Sequence, residues 1–233
     1  MTGWKTFRRG GRFLLTAALM TACLCAQQPQ PTQESAKSST PNIHELARRV
    51  DQRYNKLHSL KAAFTESYAG LGVHRSESGT LLLLKPGRMR WDYTSPPGKL
   101  FLLDGKFAWF YSQGDAQVQR IPEKQLDDLR SPLRFLLGHT ELEKELTGIA
   151  LTTAPNGQFT LTGQPKGQEK RVERLAVTLT PAGAITGIEI EEGDGAITRF
   201  TFSSEVPDGA IPPGVFRFNP PPGVPVIDTH APE

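Results

Sequence analysis

Residues 79–111 read Gly79-Thr-Leu-Leu-Leu-Leu-Lys-Pro-Gly-Arg-Met-Arg-Trp-Asp-Tyr-Thr-Ser-Pro-Pro-Gly-Lys-Leu-Phe-Leu-Leu-Asp-Gly-Lys-Phe-Ala-Trp-Phe-Tyr111. Apolar, aromatic-rich runs alternate with Pro86-Gly87, Pro96-Pro97-Gly98 and Asp104-Gly105, which close tight turns. Short runs of this composition between such turns are strands. The stretch has no His or Cys, and its only carboxylates are Asp92 and Asp104. A segment so apolar and so poor in catalytic groups reads as a surface that holds something oily.

The same pattern continues on both sides. Strands are expected at 60–68, 78–85, 88–93, 99–104, 107–112, 115–120, 149–153, 157–162, 171–180, 184–191, 196–204 and 215–218. Turn sequences separate them, among them Gln113-Gly114-Asp115, Asn156-Gly157, Pro181-Ala182-Gly183 and Gly193-Asp194-Gly195. So many strands at this spacing predict a meandering antiparallel sheet large enough to curl. Asn42 is placed to cap a helix, with Glu45 three residues on. Ile43, Leu46, Ala47, Val50, Tyr54 and Leu57 then recur at helical spacing. A second helical stretch interrupts the strands between Pro122 and Leu146. In it Leu129, Leu133, Phe135, Leu136 and Leu137 supply the apolar side, Pro132 restarts a short helix and Gly138 ends it.

Alternation puts Met89, Trp91 and Tyr93 on one side of their strand and Arg88, Arg90 and Asp92 on the other. Phe107, Trp109 and Tyr111 share a side in the same way, as do Leu175, Val177 and Leu179, and Phe200 and Phe202. With Leu81, Leu83 and Leu102 these residues are expected to make one continuous apolar face. That face is either a core covered by the two helical segments or, because those segments are small, a cavity for an apolar ligand. Periodicity does not separate the two.

Composition bounds the rest. The 233 residues are 22% charged and 37% hydrophobic, ordinary for one globular domain with a substantial core. The net charge of +3 is concentrated at the start. Lys5, Arg8, Arg9 and Arg12 precede the apolar run Phe13-Leu-Leu-Thr-Ala-Ala-Leu-Met-Thr-Ala22, and residues 1–26 contain no Asp or Glu. This is the form of a secretory signal peptide over 1–26, too short to span a bilayer. Without it the chain carries −1, which gives no electrostatic basis for binding nucleic acid. Both cysteines, Cys23 and Cys25, lie at its end, so the folded body has no disulfide. Met20-Thr-Ala-Cys23 approximates a lipobox, which makes Cys23 a candidate for lipidation; cleavage near Ala26 is the alternative. Residues 27–41, rich in Gln, Pro, Ser and Thr, read as a disordered tether, 42–228 as the domain and 229–233 as a tail.

Enzyme chemistry finds no support. His44, His58, His74, His139 and His230 lack metal-ligand spacing, and no Gly-x-Ser-x-Gly elbow or phosphate-cradling loop occurs. Asp127-Asp128 and Glu191-Glu192 are adjacent pairs whose members point apart. No metal and no cofactor are expected.

The motifs resemble one family. Gly79-x-Leu-x-Leu-x-Lys-Pro-x-x-Met-x-Trp-x-Tyr93, then Pro96, then Asp104-Gly-Lys-x-x-Trp-x-Tyr111 resembles the outer-membrane lipoprotein carrier (LolA) family. Leu60-Lys-Ala-Ala-Phe-Thr-Glu66, Ser131-Pro-Leu-Arg-Phe-Leu-Leu137 and Phe216-Arg-Phe-Asn-Pro-Pro-Pro-Gly-Val-Pro-Val226 extend the resemblance over about 43–228. It implies a mainly β fold with helices, an open, incomplete antiparallel β-barrel lidded by helices. The expected function is a monomeric periplasmic carrier that takes lipoprotein acyl chains from an inner-membrane ABC transporter to an outer-membrane acceptor, without covalent chemistry. A tethered acceptor, an envelope-stress sensor or a glycolipid carrier of the same fold are the alternatives. The resemblance also implies a lid latch. In the family an Arg before the strand-end Pro holds the lid shut; here that residue is Lys85, which lacks the planar fork of donors, and Arg88 or Arg90 is expected to share the task.

Overall fold

The computed structural model describes residues 41–122 and 141–229. The expected signal peptide with Cys23, the tether up to residue 40, and the lid residues Leu129, Leu133, Phe135, Leu136 and Leu137 lie outside the described residues.

Helix α1 (Ile43–Lys56) begins where Asn42 predicts, with the Asn42 side chain accepting from the Glu45 amide at 2.8 Å. Its apolar stripe of Leu46, Ala47, Val50 and Tyr54 is buried. Burying each large member contributes about 1.5–3 kcal/mol. The chain then forms β1 (Ser59–Gly70), β2 (Val73–Leu84), β3 (Arg88–Ser95), β4 (Pro97–Asp104), β5 (Phe107–Ser112) and β6 (Val118–Pro122). After a one-turn helix α2 (Leu142–Glu145) come β7 (Leu146–Thr153), β8 (Phe159–Pro165), β9 (Val172–Leu179), β10 (Ile185–Glu192) and β11 (Ile197–Pro207). A 3-10 turn (Pro213–Phe216) and β12 (Val226–Asp228) finish it.

All twelve strands form one sheet, in the order β12-β6-β5-β4-β3-β2-β1-β11-β10-β9-β8-β7. Every pairing is antiparallel except β12 with β6. Among the described residues β7 and β12 do not pair with each other, so the sheet stays open. Helix α1 lies across it. At one end His44 meets Glu143 of α2, and at the other Lys85, at the β2–β3 turn, donates to the Tyr54 carbonyl. From β2 to β7 is six strand spacings, about 29 Å on a flat sheet, while a 14-residue helix is about 21 Å long. The flanks of the sheet therefore fold toward the helix.

One expectation at the C-terminus needs correction. Residues 215–218 are not a strand: Pro212-Pro213-Gly214 supply no ladder donors at the two prolines and start a 3-10 turn instead. The strand there is β12, three residues set among prolines and paired in parallel with β6.

Candidate functional site

Register fixes which side chains share a face, because residues directly opposite in a ladder point the same way. Met89 pairs with Leu103, Trp91 with Phe101, Phe101 with Phe110 and Phe110 with Gln119. Trp91 also faces Leu81, and Leu83 faces Met89. This is the face that α1 covers. Leu81, Leu83, Met89, Trp91, Leu175, Val177, Leu179, Phe200 and Phe202 are all buried in one cluster with the helix stripe.

Leu102, Phe107 and Trp109 are on the other face. Leu102 pairs with Arg90 and with Trp109, and together with Val118 they pack against Phe216 and its C-terminal neighbours. The expectation of one continuous apolar face is therefore corrected: β3 and β5 present their aromatic stripes to opposite sides. The cause is the β4–β5 turn. Leu103 pairs with Ala108 across four intervening residues, so odd-numbered side chains of β4 share a face with even-numbered ones of β5. Asp104 fixes that turn by accepting from the Lys106 and Phe107 amides, both at 2.8 Å, and from Trp109 Nε1 at 2.7 Å.

Over β3–β5 and β11 the helix-covered face is not filled by the described side chains. A cavity of about 470 Å³ is bordered by Trp91, Tyr93, Lys99, Phe101, Phe110 and Phe200, within the ~300–1,000 Å³ usual for small-molecule sites. Tyr111 reaches its rim, with its ring set against Phe218 on the outer side at 5.8 Å. Aromatic rings contact one another along the walls: Phe64 meets Trp91 at 4.6 Å and Tyr93 at 5.0 Å edge-on, and Trp91 meets Phe200 at 5.3 Å and Phe101 meets Phe110 at 4.8 Å at tilted angles. The buried Trp91 Nε1 has no hydrogen-bond partner among the described residues. Gly79 lets these strands close up; a Cβ there would lie 2.0 Å from the Asp92 carbonyl oxygen and 2.9 Å from the Phe64 ring. Phe101, Phe110, Asp115 and Gln119 are lining residues that alternation within single strands does not identify. The odd-paired turns at β4–β5 and β5–β6 are the signal that would have found them.

Helix α1 covers the opposite flank of this face. Tyr54 Oη accepts from the Ile185 amide at 2.9 Å and lies 3.5 Å from Glu205 Oε1, while Arg53 donates to Glu205 at 3.1 Å. Burial, assisted by the Glu205 charge, pushes the Tyr54 hydroxyl up to about 12. Gly183 lets the β9–β10 turn meet the helix backbone; its φ is +80°, and a Cβ there would lie 2.9 Å from the Arg49 carbonyl carbon.

The three expected latch residues separate. Lys85 binds the last turn of α1 through the Tyr54 carbonyl, where a cation complements the helix dipole. Its burial lowers the ammonium pKa, with Asp208 acting in the opposite direction. Arg90 is on the outer face, forked onto Asp92 at 2.6 and 2.7 Å and donating to the Val215 carbonyl at 2.8 Å. Arg88 lies on that same outer face, opposite Asp104 in register. Both arginines thus stand on the side away from the cavity, a correction to the shared latch.

The far end of the helix-covered face is polar. Glu66 and Glu77 stand opposite each other on β1 and β2, each 8% exposed. Tyr93 Oη donates to Glu66 at 2.7 Å, and Lys99 donates to Glu77. The Lys99 ammonium also lies over the Tyr93 ring at 4.2 Å. Arg75 stacks on Tyr68 at 4.7 Å, with its Nε 3.9 Å from Glu77. Burial, then the Glu66 charge, raises the Tyr93 pKa and keeps it a donor.

Comparison with known proteins adds the decisive observation. Residues 55–219 match the family described as outer membrane lipoprotein carrier protein LolA. The chain belongs to this LolA family. An outer-membrane lipoprotein carrier protein of Nitrosospira multiformis is 30% identical over 173 residues, 72% of this chain and 82% of that one. One from Chromobacterium violaceum is 29% identical over 214 residues, 92% and 96% of the two chains. An uncharacterised conserved protein of Thermus thermophilus shares the fold, with a TM-score of 0.51 at 12% identity over 80% of this chain and 98% of its own. LolA proteins are periplasmic, non-enzymatic carriers of lipoproteins, which answers the question of enzyme or carrier for this chain. The open antiparallel sheet with its N-terminal helix is the architecture the resemblance implies.

Proposed function

We propose that this chain carries lipoproteins by holding their acyl chains in the cavity between β3–β5 and β11, and moves them from the inner to the outer membrane. The supporting observation is the aromatic cavity itself, an apolar space that the described side chains leave unfilled, in a member of a lipoprotein-carrier family. Burial of acyl chain gains about 0.8 kcal/mol per CH₂. A long chain therefore gains on the order of 10 kcal/mol gross, and escape through water is too slow to be useful. Hand-over must run directly from one apolar surface to another. That favours an inner-membrane ABC transporter as donor and an outer-membrane acceptor as recipient. The leader over residues 1–26 exports the chain, and Cys23 is the candidate for anchoring it.

The test is binding of a synthetic diacylated cysteinyl peptide, read by the fluorescence of Trp91 in a chain whose Trp4 and Trp109 are replaced by Phe. Saturable quenching or a spectral shift is expected. An unchanged spectrum, together with failure of the native chain to release lipoproteins from spheroplasts, would overturn the proposal. The mass of the mature N-terminus separates the tethered form, beginning at diacylglyceryl-Cys23, from the diffusing form, beginning near Gln27.

A further inference from the structure

We propose that the charged end of the cavity is a headgroup filter, admitting an acylated ligand whose polar end is neutral and turning away one that carries phosphate. This rests on the acyl-chain reading of the cavity. In any bilayer the acyl chains of a lipoprotein are surrounded by similar chains attached to phosphate headgroups. The aromatic floor formed by Trp91, Phe101, Phe110 and Phe200 meets the same hydrocarbon in both cases, and chain contacts discriminate weakly. Selection has to come from the groups beside the ligand's polar end.

Those groups are set against phosphate. Among the described residues Lys99 is the one cation that lines the cavity, and its ammonium is already committed to Glu77 and to the Tyr93 ring. Arg75 is turned to Tyr68 and Glu77. Against these two cations stand three carboxylates: Glu66, Glu77 and, on the cavity rim, Asp115. Like charges directly opposite in a ladder are unfavourable. Glu66 and Glu77 nonetheless face each other in register, each satisfied by its own donor, Tyr93 or Lys99. A phosphate would have to take Lys99 from Glu77 and leave a nearly buried carboxylate with only the longer 3.9 Å contact to Arg75. An ester or amide carbonyl needs one of the three ammonium hydrogens and leaves the ion pair in place. Rejection here is built from weakened charge pairing rather than from a clash.

The test compares two probes with the same single acyl chain, lysophosphatidylglycerol and a monoacylglycerol, each displacing a fluorescent fatty-chain reporter. The native chain is expected to prefer the monoacylglycerol. Glu77→Gln frees Lys99 and should tighten lysophosphatidylglycerol roughly five-fold, the factor conferred by about 1 kcal/mol from a charge at the partly exposed Lys99. Monoacylglycerol affinity should stay the same. Adding Lys99→Gln should remove the gain, which a general loosening of the site would not do. Asp115→Asn should shift the preference in the same direction by less, and it carries the test if Glu77→Gln does not fold. Its side-chain oxygen can still accept from the Ser112 amide, 2.8 Å away in the native chain. Equal native affinity for both probes, or a preference unmoved by the substitutions, overturns the filter alone. Failure of the native chain to bind either probe overturns the acyl-chain reading and the filter with it.

Discussion

The two sides of β3–β5 are both aromatic and have opposite fates. On the outer side Leu102, Phe107 and Trp109 meet Phe216, Phe218, Val224 and Val226, so the protein's own C-terminal segment covers the stripe. Arg120 reinforces that cover by lying over Phe107 at 4.5 Å while forking onto Asp228 of β12. On the inner side Trp91, Phe101 and Phe110 border a cavity that the other described side chains do not fill, while α1 is held to β10 by Tyr54, to β11 by Arg53 and to the β2–β3 turn by Lys85. Among the described residues an aromatic stripe is core where the chain supplies a partner for it and a candidate site where it does not. Residue type does not distinguish the two; the path of the covering segment does.

The largest effect that would break this comparison is on the outer side. Phe216 is 2% exposed, and Phe216→Ala should cost about 3–5 kcal/mol in denaturant unfolding. Acyl-ligand affinity of the molecules that remain folded should be unchanged; a parallel loss of binding would mean that the two sides are one unit. On the inner side Phe110→Ala should do the reverse. It should cost only about 1 kcal/mol of stability, while acyl-ligand affinity falls about ten-fold in titration. The smallest effect concerns the helix. The neutral Tyr54 phenol contributes stability that is fully present below its ordinary value of 10.0 and is lost as pH rises toward about 12. Thermal melts through that window should fall more steeply for the native chain than for Tyr54→Phe, which gives up about 1 kcal/mol of hydrogen bonding at neutral pH. Equal slopes would show that the phenol does not bind the helix to the sheet.

The strands and turns were legible because their signals are local. Asn42, Asp104-Gly105, Asn156-Gly157 and Asp194-Gly195 each act within a few residues, and each is found where the sequence places it. The site was legible only in part. Trp91, Tyr93 and Phe200 follow from alternation and motif, but Phe101 and Phe110 do not. Alternation gives relative facing within one strand, and the phase between strands depends on how many residues lie between paired partners in each turn. Strand β12 was hidden for a different reason. Three residues among prolines have no periodicity to read, and their pairing with β6 is set by packing more than a hundred residues away.

The seam between β1 and β11 has a kinetic consequence. Phe64 pairs with Phe202, 138 residues further along the chain, and this ladder is near the centre of the sheet. The amino-terminal hairpins can zip locally, but the middle of the molecule closes only after the chain has been synthesised past residue 202. Contacts of such long range are associated with slow folding, since the entropy of closing the loop is lost before the ladder compensates for it. A newly made chain therefore stays open at its centre until near the end of translation, the condition in which a polypeptide can still be threaded through a narrow pore.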